Sequence, residues 1–97
     1  MEWYHYLSGF FAGVFLTNAL PHFVHGISGN KFPTPFSKPG GIGLSSSTTN
    51  VIWALFNMVV GYLLLTAGPL NIPVFFAGIA VISIFSSIHF QRKHKED

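Results

Sequence analysis

Charge is missing from most of this chain. Its Asp, Glu, Lys and Arg residues are Glu2, Lys31, Lys38, Arg92, Lys93, Lys95, Glu96 and Asp97, so the stretches 3–30 and 39–91 carry none. A soluble domain has roughly a quarter of its residues charged. Here the share is 8%, against 49% hydrophobic residues and a mean hydropathy of +0.49. At 1.5 Å per residue, some twenty apolar residues in a helix cross a ~30 Å hydrocarbon core. The uncharged stretches hold three such runs. The expected fold is an all-α integral membrane protein with three transmembrane helices at about 3–25, 48–67 and 73–91, forming one domain over 1–97. A Pro/Gly-rich cytoplasmic loop at 26–47 and a short basic cytoplasmic tail at 92–97 complete it.

The first run begins with Trp3, Tyr4 and Tyr6, half of an aromatic belt at a membrane interface. Pro21 removes the hydrogen bond to the Thr17 carbonyl, so a kink or a loosened last turn is expected, with Thr17 or Asn18 available to satisfy what is freed. In the loop, Pro33, Pro35 and Pro39 among several glycines exclude a regular helix. Phe32, Phe36, Ile42 and Leu44 are too apolar for a solvated linker, which predicts that the loop lies on the bilayer interface or folds back over the helix ends. Ser45 to Asn50 is a cluster of N-cap candidates before the second helix, which Gly68 and Pro69 close. Pro73 suits the first turn of the third helix. The final QRKHKED is polar and expected to fray.

An odd number of spans puts the loop and the C-terminus on one side, and that side holds every Lys and Arg. The positive-inside rule makes it cytoplasmic, so the expected orientation is N-terminus out, C-terminus in. MEWYHY offers neither a basic n-region nor a small-residue cleavage pattern after the apolar run, so no cleaved signal peptide is expected.

Several chemistries are excluded or poorly supplied. Without cysteine there are no disulfides, thiolate nucleophiles or Cys-based metal sites. The carboxylates are Glu2, Glu96 and Asp97, all terminal, so a fixed acid–base pair is not expected. Ser45 to Ser47 with His22 as base would lack both a GxSxG turn and an acidic orienter. KPGGIG lacks the Gly-Lys-Ser/Thr ending of a phosphate loop. The five basic side chains form no clustered face for nucleic acid. No enzyme activity and no cofactor are expected.

Helical projection at 100° per residue groups the remaining polar and small residues. Gly9 and Gly13 form a small-xxx-small pair, with Asn18, His22 and His25 roughly opposite. Asn50, Ala54, Asn57 and Gly61 make one stripe in the second helix. In the third, Ala80, Ser83 and Ser87 share one side, and Gly78 and His89 the other. Two packing faces on the first and third helices predict a homo-oligomer or docking on a larger membrane complex, with Gly9, Gly13, Ala54, Gly61, Gly78 and Ser83 as packing positions.

The candidate ligand or pore residues are Asn18, His22, His25, Asn50, Asn57 and His89. An unpaired amide inside a bilayer is costly, so Asn57 must meet a polar partner. It either lines a path or bonds across a helix interface, with Asn50 as a pore group or a helix cap. His22-x-x-His25 is an i, i+3 pair to which His89 could add a third imidazole, with His94 nearby, but the spacing is a weak metal signal and weaker still for bis-histidine haem.

The expected role is an accessory or scaffold subunit, or an oligomer that binds a ligand or lipid at its inner face. The alternatives are a minimal channel or transporter for a small solute or proton, and histidine-based metal or haem binding at the cytoplasmic face. Any site is expected around Asn18 to Gly26, where the loop and His89 can converge.

NALPHFVHGISGNKFPTPF followed by GLSSSTTNVIW resembles a group of short bacterial inner-membrane proteins that share a Pro-His-Phe turn, a proline-rich loop and an Asn-x-x-Trp second helix. The resemblance implies a bacterial cytoplasmic membrane. It carries no assigned activity.

Overall fold

A computed structural model describes residues 2–96, with side chains described as far as Arg92. The expected basic tail beyond Arg92, with His94, lies outside the described side chains. The helices are α1 (Trp3–Ile27), α2 (Ser47–Leu65) and α3 (Ile72–Glu96). All are long and apolar enough to cross a membrane, the third over Ile72–Arg92.

The boundaries differ from expectation for local reasons. α1 runs through Pro21 without a break and ends two residues late, where the N–H groups of Ser28, Gly29 and Asn30 bond back to Val24, Gly26 and His25. α2 starts behind Ser46, whose Oγ accepts from Thr49 N at 3.1 Å, and ends two residues early at Leu65. Asn71 Oδ1 accepts from Val74 N at 3.0 Å at the start of α3, with Pro73 in the first turn. The tail expected to fray instead prolongs α3 through Glu96, since Gln, Arg, Lys and Glu are all good helix formers.

α1 is the middle helix. It packs on α2 along one side and on α3 along the other, and among the described residues α2 and α3 do not pack on each other. Glycines permit both contacts. A Cβ on Gly13 would overlap the Phe75 carbonyl oxygen, and one on Gly78 the Phe10 carbonyl oxygen, so α1 and α3 touch backbone to backbone. On the other side Gly61 faces Leu16 and Gly26 faces Val51. Both faces of α1 that suggested self-association are therefore occupied within one chain. Gly9 is buried, yet a Cβ there would meet nothing within 4 Å, and Ser83 is exposed on the side of α3 away from α1. Neither makes the close contact expected of a packing position in a single copy.

The interior is small and polar, and the exterior is oily. Ala12, Ala19 and Ala54 are the buried hydrophobic residues, whereas Asn50, Asn57, His22 and Thr34 are each at most 5% exposed. Large apolar side chains point outward along every helix, among them Leu20, Phe56, Leu63, Phe76 and Phe85. Water would leave that surface as one large hydrophobic patch, while lipid solvates it, so the arrangement matches a protein made for a bilayer.

The loop after α1 folds back onto the helices. Phe32 and Ser45 exchange both backbone hydrogen bonds (3.2 and 3.0 Å), closing it at its base. Thr34 is its knot: its carbonyl accepts from Gly41 N and from the N–H and hydroxyl of Ser37, and its hydroxyl meets Ser45 Oγ at 2.6 Å. Phe32 stacks on His25 at 4.3 Å and lies 4.8 Å from Phe90, wedged between α1 and α3. Phe36, Ile42 and Leu44 stay exposed. At the opposite end the connection from α2 to α3 crosses α1, with Gly68 against the His5 ring.

Candidate functional site

Because α2 and α3 flank α1 without meeting, a cleft lies between them, floored by α1 and covered at one end by the loop. Its cavity measures about 280 Å³. Asn18 and His22 of α1 form the floor, and Trp53 of α2 one wall. Phe85, Ser86, His89 and Phe90 of α3 form the other wall, with Pro33, Thr34, Pro35 and Gly41 above.

Two buried amides fix the floor. Asn50 Nδ2 donates to the carbonyls of Phe32, Ser45 and Ser46 (2.9, 3.3 and 3.0 Å). Its Oδ1 must then be the atom facing His22 Nδ1 at 2.8 Å. A carbonyl oxygen only accepts, so Nδ1 carries the proton and a neutral His22 keeps its lone pair on Nε2, which has no partner among the described residues. Two turns further along α2, Asn57 Nδ2 donates to the Trp53 carbonyl at 2.7 Å, leaving Oδ1 to accept from Asn18 Nδ2 at 3.3 Å.

His89 is oriented by the same logic. Its Nε2 lies 2.7 Å from the Gly41 carbonyl, so Nε2 is the donor and Nδ1 the free nitrogen of the neutral ring. Gly41 has φ +73°, a conformation that glycine adopts without strain, and this turn aims its carbonyl at α3. The ring is further held by stacking on Phe85 (6.1 Å) and by an edge contact with Phe90 (4.9 Å).

Trp53 completes the wall. Its ring stacks on Phe56 at 5.5 Å and meets Phe36 and His22 edge-on at 5.2 and 6.5 Å. Its Nε1 is buried with no hydrogen-bond partner among the described residues. On its outer side, Trp53 also lines an apolar groove of about 400 Å³ with Phe36, Ile52 and Phe56.

Of the six candidate ligand or pore residues, Asn18, His22 and His89 meet at the cavity. Asn50 and Asn57 stand behind them, buried between α1 and α2 and bonded within the chain, so neither lines the cavity; Asn50 ties loop to helix, while Ser46 is the cap. His25 turns away to stack on Phe32. Among the described residues no three His, Cys, Asp or Glu side chains gather closely enough to hold a metal. Trp53, Ser86 and Thr34 were not anticipated. Trp53 was the most accessible of these to sequence reasoning, because it lies between Asn50 and Asn57, one turn from each.

The cavity is thus a concave site of aromatic and aliphatic walls with a few oriented polar groups, the usual composition of a small-molecule pocket. No family model matches the chain, and no curated protein or solved structure matches it either.

Proposed function

We propose that this chain is a non-enzymatic, three-span protein of a bacterial cytoplasmic membrane that holds a small amphiphilic ligand in the cavity between α2 and α3. The observation that carries this reading is the cavity itself: oriented polar groups converge under the loop, between helices whose outer surfaces suit lipid. An amphiphile can place its head there and leave its chain among the apolar side chains of α2 or α3.

The orientation is N-terminus out and C-terminus in. In support, Lys31, Lys38 and Arg92 lie at the loop end of the bundle, whereas Glu2 starts α1 at the other end. Self-association, or docking on a larger membrane complex, would use the outer face of α3. That helix has Gly78 as its one buried residue among those described, so most of its surface is free for lipid or a neighbour.

The test is to isolate the full chain in lipid nanodiscs and identify what co-purifies. A near-stoichiometric amphiphile that is lost when Ser86→Phe fills the cavity supports the reading. Equal retention by Ser86→Phe, or nothing beyond bulk lipid in either sample, ends it.

A further inference from the structure

The hydrogen-bonding groups around the cavity narrow the class of ligand. His22 Nε2 and His89 Nδ1 are acceptors in the neutral rings, because Asn50 and the Gly41 carbonyl take the other nitrogens. Asn18 gives one Nδ2 hydrogen to Asn57, so its oxygen is a third acceptor and its second N–H a donor. Against these stands the Ser86 hydroxyl, which can act either way, whereas the indole N–H of Trp53 is buried out of reach of the cavity. Among the described residues no Lys, Arg, Asp or Glu lines the cavity.

Among these groups a phosphate or carboxylate head would face mainly lone pairs. A cation would find no carboxylate. The complementary head is neutral and donates hydrogen bonds, and the rings of Trp53, Phe85 and Phe90 suit an aromatic plane over a flexible polyol. On the far side of Trp53, the groove lined by Phe36, Ile52 and Phe56 offers an apolar track for a chain.

We propose that the occupant is a quinol-class amphiphile: a ring bearing hydroxyl groups that donate to His22 and His89, with an apolar tail along α2. This rests on the ligand-binding reading above and names its chemistry. It also implies selectivity between redox forms, because the oxidised quinone has lost both hydroxyl hydrogens and would leave the histidine nitrogens unpaired.

The experiment uses the full chain carrying Trp3→Phe, so that Trp53 is the only indole, in phosphatidylcholine nanodiscs under anaerobic conditions. Trp53 fluorescence is followed while decyl-benzoquinol, decyl-benzoquinone or dioctanoylglycerol is added. Saturable quinol binding at least about tenfold tighter than quinone is expected, and His89→Phe, checked for unchanged helix content, should narrow that gap. Equal affinity for the two redox forms overturns the proposal, as does saturation by dioctanoylglycerol alone, although either leaves an amphiphile site in place. No saturable response to any probe also overturns it. Whether a co-purified molecule is then still displaced by Ser86→Phe tells whether the broader ligand-binding reading falls with it.

Discussion

Asn50 and His22 meet at 2.8 Å across the α1–α2 interface, 28 positions apart in sequence. Through the other end of the same amide, Asn50 holds the carbonyls of Phe32, Ser45 and Ser46. One side chain therefore orients the cavity histidine, anchors the base of the loop and joins two helices. In a low-dielectric interior such a fully bonded amide is stabilising, and its loss leaves several groups unpaired at once.

Asn50→Leu keeps the branched outline of the side chain and removes these bonds. We expect a loss of about 2–4 kcal/mol in unfolding stability, since His22 Nδ1 and the loop carbonyls lose a buried partner together. Unfolding in mixed micelles measures it. The loop should also become cleavable by trypsin after Lys31 before the helices melt.

Gly9, Gly13 and Gly78 separate close packing from mere smallness. Gly13→Ala and Gly78→Ala each put a methyl group into a neighbouring backbone carbonyl, which cannot swing aside as a side chain could. Each should destabilise the chain by about 1–3 kcal/mol by pushing α3 away from α1. Gly9→Ala meets nothing and should be neutral or stabilising by about 0.5–1 kcal/mol through helix propensity. The same unfolding assay ranks the three variants, and equal effects would show that the α1–α3 contact is not backbone to backbone.

Asn18 and Asn57 allow a direct measure of an interhelical hydrogen bond. Asn57 is 1% exposed and also bonds the Trp53 carbonyl, while Asn18 borders the cavity. Asn57→Leu should therefore cost more than Asn18→Leu, which leaves a group that cavity water or ligand can satisfy. A double-mutant cycle should give a coupling near 0.6 kcal/mol, the scale typical of such bonds in membranes. A coupling of zero would mean that the 3.3 Å contact contributes only shape.

How much of this the sequence revealed follows from which forces act locally. Hydropathy located all three helices, and the cluster Ser45 to Asn50 and Pro73 marked the starts of α2 and α3, because span length and capping depend on neighbouring residues. The polar stripe from Asn50 to Gly61 was visible for the same reason: it is one face of one helix, and it is the buried face of α2. The central position of α1 was not legible. Periodicity shows that α1 has two faces suited to packing, but it does not tell whether a second helix of the same chain or a second copy covers them. Gly9 and Gly13 look equivalent at i, i+4, and only the height at which α3 crosses distinguishes them. The cavity lies at the meeting of α1, α2, α3 and the loop, so His22 and His89 could be suspected one at a time, while Trp53, an ordinary aromatic residue in an apolar helix, gave little sign of an unpartnered N–H.

Residue 38 offers a test of membrane placement. Lys38 is exposed in the loop, which lies at the same end of the bundle as the end of α3. In the chain without cysteine, Lys38→Cys gives a single thiol, and Glu2→Cys gives one at the opposite end. With the positive end inside, a membrane-impermeant maleimide applied to whole cells should label position 2 and spare position 38, and inverted vesicles should reverse the pattern. Labelling of both from one side would mean that the helices do not span.

His89 and Gly41 form the one side-chain hydrogen bond between the loop and α3 among the described residues, at 2.7 Å. The loop has its own internal bonds through Thr34, including the one from Gly41 N at 2.8 Å, so losing the latch should not unravel it. His89→Phe retains the ring that stacks on Phe85 and removes the donor. The loop should then lift from α3 with its Thr34 bonds kept but its Phe32–Ser45 base opening more often, which uncovers the cavity on its Phe90 side. Hydrogen exchange should rise in Phe32 and Ser45, whose paired N–H groups close the base of the loop, while the amides of α1 and α2 stay protected. Gly41→Ala should act more broadly, because its positive φ also shapes the turn itself, at a cost of about 1 kcal/mol. If His89→Phe left loop exchange unchanged, the wedge of Phe32 between His25 and Phe90 would be enough to hold the cover in place.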